Sequence, residues 1–130
     1  MRTSNEEILL TVMTEDQRGL DEIEQIAAVD GVDLIALGPT DISAALGITD
    51  PTDPRLRQTF QELVAKVKAV GKAKAYVPVN HSALRFSPRE LLDMGVSYSS
   101  VAPAPPTIVL NALRESAQRI REGAAQVTAR

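Results

Sequence analysis

Short apolar runs alternate with segments of helical periodicity four times along this chain of 130 residues. The apolar runs are Ile8–Thr14, Val32–Leu37, Lys74–Val79 and Val96–Val101. After each run, apolar residues recur every three or four positions, which is the spacing of an amphipathic helix. Such alternation is typical of parallel strands joined by right-handed helical crossovers. We therefore predict an α/β fold of four consecutive βα units, forming a single domain over residues 1–130.

The helices of these units carry start and stop signals in the sequence. Asp53 and Pro54 are typical of a helix start, and Gly71 is typical of its end. The run Ser87–Glu90 is a capping box, with Gly95 after the helix that it opens. The other predicted helices span Gln17–Val29, Asp41–Leu46 and Thr107–Glu122, with a rigid connector at Pro103, Pro105 and Pro106 and a frayed tail after Gly123.

Four βα units correspond to half of a (β/α)₈ barrel or to a small open sheet with helices on both faces. In the half-barrel, one face of the sheet has no helix over it, and both edges of the sheet are unpaired. A half-barrel therefore needs a partner. The partner is either a second copy, giving a homo-oligomer, or a separate segment that supplies the missing N-terminal half.

Composition excludes several classes of function. The net charge is −3 with both signs mixed along the chain, so the basic stripe of a nucleic-acid-binding protein is missing. No apolar run approaches the roughly 20 residues of a membrane span. The chain has no cysteine, which excludes disulfides and thiolate chemistry. The first residues also lack the apolar stretch of a signal peptide, so a cytoplasmic location is expected.

Two acidic residues stand just after apolar runs, one βα unit apart. Glu15 follows the first run and Asp41 follows the second. Because the carboxyl ends of parallel strands meet at one edge of a sheet, the two carboxylates are expected to lie close together. Two oxygen ligands without His or Cys suit Mg²⁺ or Mn²⁺. The alternative is that Asp41 caps a helix and Glu15 is a solvated loop acid.

Two further features fall at the same predicted edge. Gly38, Pro39 and Thr40 form a turn that leads into a helix, whose first N–H groups favour an anion such as a substrate carboxylate. The alternative is an ordinary βα turn. His81 is the single histidine and lies in the loop after the third apolar run. It is a candidate catalytic residue, with plain solvent exposure as the alternative.

The segments Ile26–Asp33 and Gly38–Gly47 closely resemble the HpcH/HpaI aldolase family, the metal-dependent class II pyruvate aldolases. The wider superfamily includes the citrate lyase β-subunit and phosphoenolpyruvate-handling barrels. The resemblance implies that this chain is the C-terminal half of a (β/α)₈ TIM barrel. It also implies that Glu15 and Asp41 bind a divalent metal, Mg²⁺ or Mn²⁺ before Co²⁺ or Zn²⁺. The backbone around Thr40 and Asp41 would then hold the carboxylate of pyruvate.

The implied activity is that of a carbon–carbon lyase, which cleaves a 4-hydroxy-2-oxo acid to pyruvate and an aldehyde. The catalytic His and the substrate-binding Arg of the family lie in the earlier half of its members and have no counterpart here. His81 does not match the family His. We therefore expect the isolated chain to be weakly active or inactive, with the catalytic base supplied from elsewhere.

The sequence departs from the family pattern at two other places. Met13 stands where a substrate-contacting Gln is usual, and Ala102–Ala104 replaces the Gly-x-Asp that often follows the last strand. Both changes suggest a divergent subgroup with different substrate selection. Two other readings stay open. One is a non-catalytic, self-associating half-barrel that binds a metal or an oxo acid, and the other is an unrelated small α/β binding domain.

Overall fold

Three short parallel strands form the sheet of the computed structural model, which describes residues 4–100 and 105–128. They are β1 (Thr11–Thr14), β2 (Leu34–Leu37) and β3 (Lys74–Tyr76), in the order β1-β2-β3. The register pairs Thr11 with Leu34 and Leu34 with Lys74. The predicted α/β class with a parallel sheet is confirmed.

Seven helices accompany the strands in the described part of the chain. They are α1 (Ser4–Glu7), α2 (Gln17–Asp21), α3 (Ile23–Ala27), α4 (Pro39–Ala45), α5 (Pro54–Val70), α6 (Pro88–Met94) and α7 (Pro105–Thr128). The prediction of one helix over Gln17–Val29 is wrong, because the backbone leaves helical geometry at Glu22 (φ −96°, ψ 10°) and divides it into α2 and α3. Among residues 4–100 and 105–128, no helix is long and apolar enough to cross a membrane.

The predicted fourth strand is reduced to a single parallel bridge between Tyr76 and Tyr98 within the described residues. Two backbone bonds extend this pairing, Val77 N–H to Tyr98 O (3.3 Å) and Val79 N–H to Ser100 O (2.9 Å). The Ser99 hydroxyl donates to the Val77 carbonyl at 2.6 Å and so occupies an acceptor of the ladder. The prediction of four complete strands is therefore wrong for these residues, although the fourth segment lies where the fourth strand belongs. Val101 lies outside the described residues.

The core lies on one face of the sheet, where the helices pack. Helix α5 buries an apolar stripe that consists of Leu56, Phe60, Leu63, Val64 and Val67. Asp53 caps this helix by accepting from the Arg55 N–H at 2.9 Å, and Gly71 ends it with a φ of 78°. The strands contribute Ile35, Leu37 and Ala75 to the same core, and Val77, directly after β3, joins them.

The opposite face of the sheet, which we call the open face, has no helix packed over its strands in the described residues. Its side chains alternate with those of the core and come from Thr11, Met13, Leu34, Ala36, Lys74 and Tyr76. Met13 on the edge strand β1 is 62% exposed, whereas Leu34 and Ala36 on the central strand β2 are each 6% exposed. An uncovered face is the arrangement that a half-barrel predicts.

Helix α7 begins earlier than predicted. Pro105 and Pro106 lie in its first turn instead of in a connector, because the first helical N–H groups have no intrahelical acceptor and proline lacks that N–H. Pro103 lies outside the described residues. The helix passes Gly123 and ends at Thr128. Its large apolar side chains are exposed, namely Ile108, Val109, Leu110, Leu113 and Ile120.

Helix α6 begins with the predicted capping box. The Glu90 carboxylate accepts from the Ser87 N–H and the Ser87 hydroxyl, each at 2.8 Å, and also pairs with Arg57. The bond from the Ser87 N–H is the main reason that the pKa of Glu90 is lowered, with the Ser87 hydroxyl next and the Arg57 charge a smaller contribution. Unfolding removes these contacts and returns the pKa towards its ordinary value of 4.5.

We expect this network to make stability depend on acid. Because the folded pKa is lowered, its contribution is complete at neutral pH and is lost as the pH falls below about 4.5 and through the folded pKa. Urea unfolding of Glu90→Gln between pH 7 and pH 3 should show a smaller acid-induced loss than the wild-type chain. Glu24→Gln, on the exposed side of α3, serves as control and should retain the wild-type pH profile. Identical profiles for Glu90→Gln and wild type would contradict the assignment.

Candidate metal centre

Glu15 and Asp41 lie at the same edge of the sheet. The last residues of β1 and β2, Thr14 and Leu37, are paired in register, and Glu15 directly follows Thr14. After Leu37, Gly38 is the N-cap of α4, which places Asp41 in the first turn of that helix. Both carboxylate side chains are exposed and therefore accessible to a ligand.

The two carboxylates converge over Gly38. A Cβ atom built on Gly38 would lie 3.3 Å from Asp41 Oδ2 and 3.5 Å from Glu15 Oε1. The two oxygens are thus separated by no more than the sum of these distances. The space between them stays free because residue 38 has no side chain. Two carboxylate oxygens beside an empty space of this kind form a cradle for a small cation.

Thr14, the residue directly before Glu15, carries a buried hydroxyl. Thr14 is 2% exposed, and its Oγ1 atom has no hydrogen-bond partner among the described residues. Buried hydroxyls usually find a partner, so an unpartnered one is an unusual feature. Sequence reasoning did not single out Thr14. The available signal was a polar residue at the core-facing end of a strand, directly before Glu15.

A cleft of about 450 Å³ contains these groups. It is lined by Met13, Thr14, Glu15, Asp16, Gly19, Asp41, Ala44 and Ala45. Asp16 is already engaged, since its carboxylate accepts from the Gly19 N–H at 2.7 Å and caps α2. The free oxygens in the cleft are therefore mainly those of Glu15 and Asp41.

The two carboxylates fit a hard divalent cation that leaves several of its coordination positions open to other ligands. Within residues 4–100 and 105–128, no cluster of three or more His, Cys, Asp or Glu side chains could enclose a metal. Mg²⁺ is commonly held by one or two carboxylates and completes its shell with water and substrate oxygens. The chemistry of the two carboxylates and the space over Gly38 fit such an ion, whereas a closed structural zinc site requires more ligands.

The turn residues named by the sequence directly precede Asp41, and none of them is among the residues that line the cleft. Gly38 and Pro39 begin α4, and the first intrahelical bond runs from the Ile42 N–H to the Gly38 carbonyl at 3.0 Å. The N–H groups of Thr40 and Asp41 precede that bond, while Pro39 has none to offer. Because α4 has seven residues, its dipole alone is a weak anion site. Substrate binding by Gly38, Pro39 and Thr40 stays a prediction.

His81 lies apart from the lining of this cleft. Its loop follows β3, and its Nδ1 atom accepts from the Ala83 N–H at 3.2 Å. This bond leaves Nε2 as the nitrogen that carries the proton in the neutral ring. The structure thus gives His81 a local role in its loop, and a catalytic role for it stays a prediction.

The sequence profile of the HpcH/HpaI aldolase/citrate lyase family matches residues 1–101. The chain belongs to this family. It is 36% identical over 121 residues to 5-keto-4-deoxy-D-glucarate aldolase of Salmonella newport (strain SL254) and equally so to that of Salmonella paratyphi C (strain RKS4594). In both comparisons the match covers 92% of this chain and 43% of the relative. The chain thus spans less than half the length of these relatives, and the recognition of the family from Gly38–Gly47 is confirmed.

Solved structures give the same assignment. A HpcH/HpaI aldolase/citrate lyase family protein from Burkholderia cenocepacia J2315 superposes with a TM-score of 0.72 at 30% identity, covering 92% of this chain and 45% of that protein. The citrate synthase SbnG superposes with a TM-score of 0.75 at 25% identity, covering 95% and 49% respectively. An HpcH/HpaI aldolase from Desulfitobacterium hafniense DCB-2 shares the fold at 18% identity and a TM-score of 0.71.

Proposed function

We propose that this chain supplies the metal-binding half of a carbon–carbon lyase that cleaves a 4-hydroxy-2-oxo acid to pyruvate and an aldehyde. The observation that carries the proposal is the convergence of Glu15 Oε1 and Asp41 Oδ2 on the space over Gly38. Family membership supports the reaction class. Matches to proteins named 5-keto-4-deoxy-D-glucarate aldolase support a sugar-acid-derived oxo acid as the substrate.

In this proposal Glu15 and Asp41 hold the cation, with Mg²⁺ or Mn²⁺ preferred. A divalent cation bound there would supply Lewis-acid polarisation of the keto and carboxylate oxygens of the substrate. The N–H groups of Thr40 and Asp41 orient the substrate carboxylate beside the metal ligands. Thr14, the residue directly before Glu15, lines the same cleft.

The proton-transfer residue comes from the segment that completes the barrel. The cleft is lined by acids, small residues and Met13, and none of these is a histidine, lysine or tyrosine suited to proton transfer at neutral pH. The open face of the sheet supports such a completing partner, which is either a second copy or an N-terminal half-barrel. Alone, the chain is expected to bind metal and oxo acid with little or no turnover.

Thermal unfolding with and without Mn²⁺ tests the metal site. Millimolar Mn²⁺ should raise the melting temperature, and adding oxalate or pyruvate should raise it further. At a metal concentration of 100 times the Kd, the expected stabilisation is about 2.7 kcal/mol. Glu15→Gln and Asp41→Asn should each remove most of this shift, because each loses one anionic ligand.

The matched control for these variants is Glu24→Gln, which neutralises an exposed acid on α3, outside the cleft. It should retain the full shift in Mn²⁺. Retention of the shift in both Glu15→Gln and Asp41→Asn would overturn the proposed site and would favour an unrelated binding domain. Rapid pyruvate release by the isolated chain would overturn the proposal that the proton-transfer residue comes from the segment that completes the barrel.

A further inference from the structure

The open face carries a positive charge at an interior position of the sheet. Lys74 belongs to β3, which has β2 on one side and the Tyr98 segment on the other. Its neighbours in sequence, Ala73 and Ala75, are buried in the helix-facing core, so the Lys74 side chain projects to the open face. The register places it in one row with Thr11 and Leu34.

Lys74 has no charge partner on this face. None of the ion pairs formed by the described residues involves it. The open-face positions of the strands, including Met13 and Tyr76, also provide no carboxylate. When the face is covered, the ammonium group leaves water, and an unpaired buried charge is strongly unfavourable. The segment that covers the open face must therefore place an acidic side chain against the row formed by Thr11, Leu34 and Lys74.

We propose that the open face is completed by a half-barrel segment that places a carboxylate opposite Lys74, and not by a second copy of this chain. A second copy related by a two-fold axis along the barrel would bring its own Lys74 into the same row and no acid from its strands. Two ammonium groups would then face each other in a closed interior. The relatives, of which this chain spans 43%, have ample additional length for a complementary half.

The inference rests on the proposed function in one respect, that the sheet is half of a closed barrel. It does not depend on the metal ligands. Association measured without metal therefore tests it separately, and Glu15→Gln should associate as the wild type does. Loss of the metal shift with association retained would leave this inference standing.

The experiment co-expresses the chain with the part of the Salmonella newport aldolase that this chain does not match, and measures recovery of the complex without metal. Wild type should form the complex. Lys74→Glu should weaken it about tenfold or more, since two carboxylates would then be opposed. Lys66→Glu makes the same charge change on the exposed side of α5 and should leave recovery unchanged.

Self-association of the chain alone supplies the second measurement. Sedimentation should show that Lys74→Met forms a dimer more readily than the wild type, because the repulsion between two copies is removed. Three results would overturn the inference: no complex with the complementary segment, equal recovery of Lys74→Glu and wild type, or a stable wild-type dimer that Lys74→Met weakens.

Discussion

Replacing Gly38 by alanine should weaken Mn²⁺ binding about 10–100-fold, the range seen when groups that orient metal ligands are altered. The added methyl group would stand 3.3 Å from Asp41 Oδ2 and 3.5 Å from Glu15 Oε1, in the space assigned to the cation. The backbone of Gly38 (φ −83°, ψ 107°) is one that alanine adopts without strain, so the fold itself should tolerate the change. Thermal shift over a Mn²⁺ titration measures the loss.

Gly19→Ala is the matched control for this substitution. It adds a methyl group in the same cleft, but against Thr14 Cγ2 at 3.0 Å and Asp16 Oδ1 at 3.2 Å instead of the carboxylates of Glu15 and Asp41. This variant should lose stability without metal, because its new contacts crowd the start of α2. Its apparent affinity for Mn²⁺ should stay close to that of wild type. Equal metal affinity in Gly38→Ala and wild type would contradict the cradle over Gly38.

Phe60→Ala should destabilise the chain by about 3–5 kcal/mol. Phe60 is fully buried on α5, where its ring lies 6.4 Å from that of Phe86, centroid to centroid. Phe86 also carries the Arg57 guanidinium 4.4 Å from its ring centroid, so the cavity left by Phe60 would disturb the segment that leads into α6. The free energy of unfolding of a single domain is roughly 5–15 kcal/mol in total, so this loss should unfold much of the protein population.

Urea unfolding followed by far-UV circular dichroism measures this loss. Phe60→Leu keeps most of the apolar volume and should cost much less than the alanine variant. Leu92→Ala, at a side chain that is 70% exposed on α6, should change stability by less than about 0.5 kcal/mol. A loss of under 1 kcal/mol for Phe60→Ala would show that α5 is not central to the core.

The predictable parts of this fold are those that depend on neighbouring residues. Asp53, Ser87 and Gly71 mark helix ends because capping bonds and left-handed turns involve groups within a few positions of one another. The pairing of the fourth segment depends on distant residues. The Ser99 hydroxyl donates to the carbonyl of Val77, 22 positions earlier, and no local pattern predicts that bond.

The candidate site likewise has features that the sequence predicts and features that it does not. That Glu15 and Asp41 share an edge follows from the parallel order of their strands, which the alternating pattern predicts. That both carboxylates approach Gly38 is a property of the folded chain, which only the tertiary structure shows. The unpartnered hydroxyl of Thr14 could not be predicted either, since its lack of a hydrogen-bond partner is a property of the packed structure.

The two faces of the sheet also differ in how they can change over evolution. A substitution at Ile35 or Val77 can be compensated by α5 within this chain, because both partners of the contact belong to it. In the proposed barrel, a substitution at Met13 or Lys74 could not be compensated in this way, since the atoms against it would belong to the covering segment. Alternate residues along one strand are thus subject to two different sets of evolutionary constraints. Variation on the open face should be correlated with changes in the covering segment and not with changes in the helices of this chain.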